Sequence, residues 1–168
     1  MATQALPHVL TDAAQAIAAL LVERGETIAV SESAAGGLIS AALLSVPGAS
    51  RYYVGGAVVY TMAAGKAFLE PAGPRPSGMR GATEAFAAYE AESIRVRLGT
   101  TWGLGETGAA GPPNPYGDPS GHAWVAVNGP VNATQHVLTG REERDENMVA
   151  FAAAALELLQ RALTGAGG

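Results

Sequence analysis

The sequence predicts an α/β protein, a three-layer sandwich in which helices cover a mainly parallel sheet. Three observations lead there. Segments with helical spacing alternate with short strand-like runs, which is the pattern of crossover connections. The late strands have Asn128, Gly129 and Pro130 turning between them, which makes a hairpin and adds an antiparallel strand. Alanine and glycine supply much of the 48% hydrophobic content while aromatics reach only 6%, which suits close packing of helices on a sheet.

The elements follow in order. Thr11 caps a helix through Asp12 to about Glu23, on which Ala16, Ile17, Leu20 and Leu21 share a face, and Gly25 ends it. Thr27 to Val30 is a short strand, and Ser31 to Gly37 is a turn feeding a helix from Ala35 to about Ser45, stopped before Pro47. Tyr52 to Tyr60 reads as a strand crossing the core. Thr61 caps a short helix to about Leu69, and the proline-rich stretch Glu70 to Arg80 is a turn-rich connection. Thr83 caps a long helix to Leu98, and Thr101 to Gly105 is a strand. Glu106 to Gly121 reads as irregular loop, because its prolines and glycines impose turns. His122 to Val127 and Ala133 to Leu138 form the hairpin, and a last amphipathic helix begins at Arg141 to Arg144 and runs to about Leu163.

Composition limits the function. A length of 168 residues fits one domain spanning residues 1–168. The chain has no cysteine, which removes disulfides, thiolate metal sites and a thiol nucleophile. His8, His122 and His136 lack metal-type spacing, so no metal and no cofactor is expected. A net charge of −5 argues against a nucleic-acid partner. Neither a membrane span nor a secretion signal is evident, so the expected location is cytoplasmic.

Two stretches carry the chemistry. At Ser31-Glu32-Ser33-Ala34-Ala35-Gly36-Gly37 a strand meets a helix, placing Ser33 beside backbone N–H groups near Ala35 and Gly36 that suit an anion or oxyanion. An ordinary serine cap reads the same way. The second, Thr107-Gly108-Ala109-Ala110-Gly111-Pro112, also follows a strand, and in parallel α/β sheets such strand ends meet at one rim where ligands bind.

With these blocks in place, the chain resembles the CinA C-terminal domain family, which includes nicotinamide mononucleotide deamidases, and looks like a stand-alone copy of that domain. The family turn Ala-Glu-Ser-Cys-Thr-Gly-Gly is matched by Ser31 to Gly37, and Val-Pro-Gly-Ser-Ser by Val46 to Ser50. Gly-x-Val-x-Tyr-Ser is matched by Gly56 to Thr61, a Ser-Glu pair by Thr83-Glu84, and Ser-Gly-x-Ala-Gly-Pro by Thr107 to Pro112. The strand Gly-Thr-Val-Trp is matched by Gly121 to Trp124. The resemblance implies a three-layer α/β/α sandwich with a mixed, mainly parallel sheet, and a homo-oligomer.

It also implies hydrolysis of the carboxamide of a pyridine mononucleotide, with Ser33 as nucleophile and Tyr60 near the reacting centre. The family lysine of Tyr-Ser-Asn-Glu-Ala-Lys falls at Gly65 in an ungapped match, with Lys66, the only lysine of the chain, one residue later. One helical position turns a side chain by about 100°, so Lys66 substitutes only in a shifted or irregular turn, and His122 is the next candidate base. Substrate-binding positions are Glu32, Ala35, Gly36, Gly37, Thr107, Gly108, Ala110 and Gly111, with Arg144 or Arg141 answering a family Gly-Asp-Arg element near the phosphate. The turn's Cys-Thr has become Ala34-Ala35, and with Gly65 this leaves a second reading, a CinA-like domain that binds a nucleotide-like ligand or acts as an oligomeric structural module.

Overall fold

The computed structural model describes residues 5–165. Its elements are α1 (His8–Arg24), β1 (Ile28–Glu32), α2 (Leu38–Leu44), β2 (Tyr53–Val58), α3 (Met62–Phe68), α4 (Glu84–Leu98), β3 (Trp102–Ala109), β4 (His122–Asn128), β5 (Ala133–Leu138) and α5 (Arg144–Gly165). They form one sheet of order β2-β1-β3-β4-β5. β1 is parallel to β2 and β3, whereas β4 is antiparallel to both β3 and β5. Only β4 therefore runs against the rest, as a hairpin added to parallel crossovers requires.

The period-two alternation of the strands assigns the layers. Ile28 and Val30 of β1 and Leu104 of β3 point into a cluster with Ile17 and Leu21 of α1, Ile39 and Leu43 of α2 and Phe151, Leu156 and Leu159 of α5. Ala29 points the other way, to Ile94 of α4 and Leu69 after α3. On that face α4 lies against the β3 backbone, because a Cβ at Gly103 or Gly105 would run into the carbonyl oxygens of Ala91 and Ala87. Although α5 has the length and mean composition of a membrane span, its apolar side is the core of this cluster.

Four boundaries differ from the sequence reading. α1 starts three residues before Thr11, directly after Pro7, whose φ of −54° suits entry into a helix; Thr11 lies inside and its hydroxyl bonds back to the His8 carbonyl. β2 does not cross the core but forms an edge, with Val54 and Val58 turned outward. β3 continues through Glu106-Thr107-Gly108-Ala109, because β1 pairs with it as far as Glu106 and β4 alone carries it on to Ala109. The Ser31–Gly37 stretch keeps Ser31 and Glu32 in β1, and α2 begins only at Leu38, after Gly36 and Gly37 take positive φ values of 66° and 99°. Thr61 and Thr83 do cap α3 and α4, accepting from the N–H groups of Ala64 and Phe86.

Candidate active site

The parallel strands β1, β2 and β3 deliver their C-terminal ends to one rim. There a cavity of about 320 Å³ is lined by Ser33 after β1, Tyr60 after β2, Thr107 and Gly108 at the end of β3, and Lys66 on α3. Phe86 and Tyr89 of α4 and Tyr116 of the long loop add aromatic walls. The volume and this mixture of aromatic surface with a few polar groups are those of a small-molecule site.

Lys66 reaches the cavity from a regular α-helix. α3 is capped normally by Thr61, and Gly65 and Lys66 both line the space, so no shifted or irregular turn is needed. Beside the first cavity is a hollow of about 230 Å³, bounded by Ala34, Tyr60, Gly108, Ala110, Gly111 and Arg144. Tyr60 forms part of both walls. Arg144 is fixed there by donating to the Tyr60 hydroxyl at 2.9 Å and to the Gly111 carbonyl. Arg141 instead pairs with Glu146 on the exposed surface, which separates the two arginines.

The structure moves four expected binding residues into the scaffold. Glu32 is fully buried; its carboxylate accepts from the N–H groups of Gly37, Ile39 and Ser40 and from the Ser40 hydroxyl at 2.8–3.1 Å. It holds the start of α2, where the helix dipole favours negative charge, and does not line the cavity. The N–H of Gly37 is one of its donors, the N–H of Gly36 bonds to the Ser33 carbonyl, and that of Ala35 donates to Glu106. The expected anion-receiving N–H groups at Ala35 and Gly36 are thus already bonded within the protein.

His122 is likewise engaged at both ring nitrogens. Nε2 lies 2.9 Å from the Ala82 carbonyl and Nδ1 2.9 Å from Nε2 of His136, which stacks on Trp124. It supports the cavity wall at Ala82, whose N–H donates to the Thr107 hydroxyl at 2.9 Å. The long loop is tied across the same wall, since Arg80 pairs with Asp118 at 2.7 Å and lies over the Tyr116 ring. The Arg80 guanidinium holds the Asp118 carboxyl below its ordinary range.

Two further buried carboxylates were not singled out by sequence reasoning. Glu106 of β3 accepts from the N–H groups of Ser33 and Ala35, and Glu90 of α4 accepts from the Ser31 hydroxyl at 3.0 Å. Burial pushes Glu106 up to about 7, against the opposing effect of its backbone donors. Burial, reinforced by the nearby Glu106 charge, raises Glu90 well above the usual carboxylate range. The signal for Glu106 was a charged residue inside an otherwise uncharged strand, two residues beyond Leu104 on the same face.

The model of the CinA C-terminal domain matches residues 10–163, and the chain belongs to that family. Among curated relatives, a CinA-like protein of Salinibacter ruber is 42% identical over 146 residues, covering 84% of this chain and 34% of the relative. One from Gloeobacter violaceus is 37% identical over 151 residues, covering 88% and 35%. The chain spans about a third of the length of these relatives. Among solved structures, the competence/damage inducible protein CihA of Agrobacterium tumefaciens superposes with a TM-score of 0.85 at 26% identity, over 96% of this chain and 99% of that one. A CinA superfamily protein of Escherichia coli gives a TM-score of 0.83 at 22% identity, over 96% and 95%, and shares the fold.

Proposed function

We propose that this domain is an amidohydrolase that converts nicotinamide mononucleotide, or a closely related small amide, to the carboxylate and ammonia. The observation that carries the reading is that Ser33, Tyr60 and Lys66, drawn from three separate segments, line one cavity at the C-terminal rim of the parallel strands. The aromatic walls suit a flat pyridine ring, and the adjoining hollow with Arg144 suits a phosphate on the same ligand.

The chemistry divides into two displacements. The Lys66 amine takes the proton of the Ser33 hydroxyl as Oγ attacks the carboxamide carbon, and the proton passes to the departing nitrogen, which leaves as ammonia. Water then cleaves the resulting ester, giving the carboxylate and restoring Ser33. The Tyr60 oxygen already accepts from Arg144, which leaves its proton free to donate to the developing oxyanion. Incubation with nicotinamide mononucleotide and chromatographic detection of nicotinate mononucleotide tests the proposal; absence of that product at millimolar substrate overturns it for this amide.

A second reading keeps the pocket and drops the chemistry. The bonded Ser33 and Ala35 N–H groups, unavailable to an oxyanion, favour a domain that binds a nucleotide-like ligand or acts as an oligomeric module without efficient turnover. Calorimetric binding of the mononucleotide without product formation supports the ligand-binding form of that reading.

A further inference from the structure

A turn that leaves a strand for a helix exposes consecutive N–H groups, and an anion normally completes it. Here the chain supplies its own. Glu106 Oε2 accepts the Ser33 N–H at 2.9 Å and the Ala35 N–H at 2.8 Å, from a fully buried side chain. The register of the parallel pair sets Glu32 and Glu106 side by side on neighbouring strands. The two carboxylates divide the turn: Glu32 holds Gly37, Ile39 and Ser40, and Glu106 holds the half that carries Ser33. With alanine at 34 and 35 the turn has no side-chain oxygen of its own at those positions.

We propose that Glu106 is the positioning residue of the Ser33 turn and that its protonation state sets the turn's geometry. The ionised carboxylate holds both N–H groups and fixes Ser33 at the cavity wall; the neutral acid is a weaker acceptor and loosens that half of the turn. Among the described residues both bonds to the turn fall on Oε2 and none on Oε1, so the hold on the turn rests on one oxygen. Burial brings this carboxyl to about 7, so both states are populated near neutral pH. Among titratable groups, Glu32 from β1 raises it, and Glu106 in turn raises Glu90 from α4. α2 carries no charged residue, the β4 residue opposite Glu106 is Val125, and from α5 it is Met148 that packs at Gly36.

The consequence for catalysis rests on the proposed role of Ser33, but the switch itself does not, and the test separates them. In the full chain labelled with ¹⁵N and ¹³C, the Ser33 and Ala35 amide resonances and the Glu106 carboxyl carbon are followed from pH 5 to 9. All three are expected to move with one midpoint near 7, and the two amides to be flat over this range in Glu106→Gln. Amides that stay fixed in the unmodified protein, or that titrate unchanged in Glu106→Gln, overturn the proposal. Should Glu106→Gln fail to fold, the shared midpoint in the unmodified protein still decides. If the protein turns over nicotinamide mononucleotide, kcat is expected to fall about tenfold per pH unit below that midpoint, and Glu106→Gln to lose this limb. Without turnover the amide resonances alone give the answer.

Discussion

Arg144 Nη2 donates to the Tyr60 hydroxyl at 2.9 Å, joining the start of α5 to the end of β2. This contact is where the two hollows meet, and it orients the tyrosine by its oxygen while leaving the tyrosine proton unused. Replacing Arg144 by Ala is expected to raise KM for the mononucleotide roughly 10–100-fold, the worth of one charge-assisted contact. The corresponding riboside, which has no phosphate, should be affected far less. Steady-state kinetics on both substrates checks this, and equal losses on the two would place Arg144 away from the phosphate.

Lys66 lines the same cavity as Ser33 and is the only lysine of the chain. Lys66→Ala is expected to lower kcat roughly 100–10,000-fold with little change in mononucleotide affinity, as for loss of a general base. Kinetics paired with calorimetry measures the two quantities separately. Unchanged kcat would move the base elsewhere, though not to His122 as it stands, because both its ring nitrogens are bonded.

Glu32 belongs to the scaffold. Its carboxylate accepts four hydrogen bonds at the entry to α2, so Glu32→Ala strands buried donors and is expected to cost roughly 3 kcal/mol or more of stability. Urea unfolding gives the value, and a loss below about 0.5 kcal/mol, the usual range for surface substitutions, would show that the network contributes little.

Stability should fall as pH rises through the neutral range. A carboxyl whose folded-state pKa is raised binds more protons folded than unfolded between the two values, which makes the slope of stability against pH negative there. For Glu106 that window runs from its ordinary value of 4.5 to about 7, a change on the order of 3 kcal/mol. Glu90 acts in the same direction, because its folded-state pKa is also raised. Glu90→Gln removes one of the two charges and is expected to flatten the decline between pH 5 and 8. Thermal melts across that range read it directly, with an unaltered slope as the contrary result.

The sequence carried the layers well and the buried polar chemistry poorly. Helical spacing in α1, α4 and α5, the threonine caps of α3 and α4, and the hairpin at Asn128-Gly129-Pro130 are local signals that survive folding. The strand ends carrying Ser33 and Thr107 were placed on one rim by the general behaviour of parallel sheets, and they line one cavity. What was not legible depends on neighbours distant in sequence. The extension of β3 through Ala109 comes from its pairing with β4, and the edge position of β2 comes from strand order. The N–H groups of Ser33 and Ala35 looked open because nothing local bonds them; their acceptor, Glu106, lies more than 70 residues away.

The most direct measurement is ammonia release from nicotinamide mononucleotide by the unmodified protein and by Ser33→Ala, with binding of the mononucleotide to both followed by calorimetry. Ser33 as nucleophile predicts steady release from the former, background release from the latter, and comparable binding by the two. Equal release from both proteins, or none from either, would contradict it.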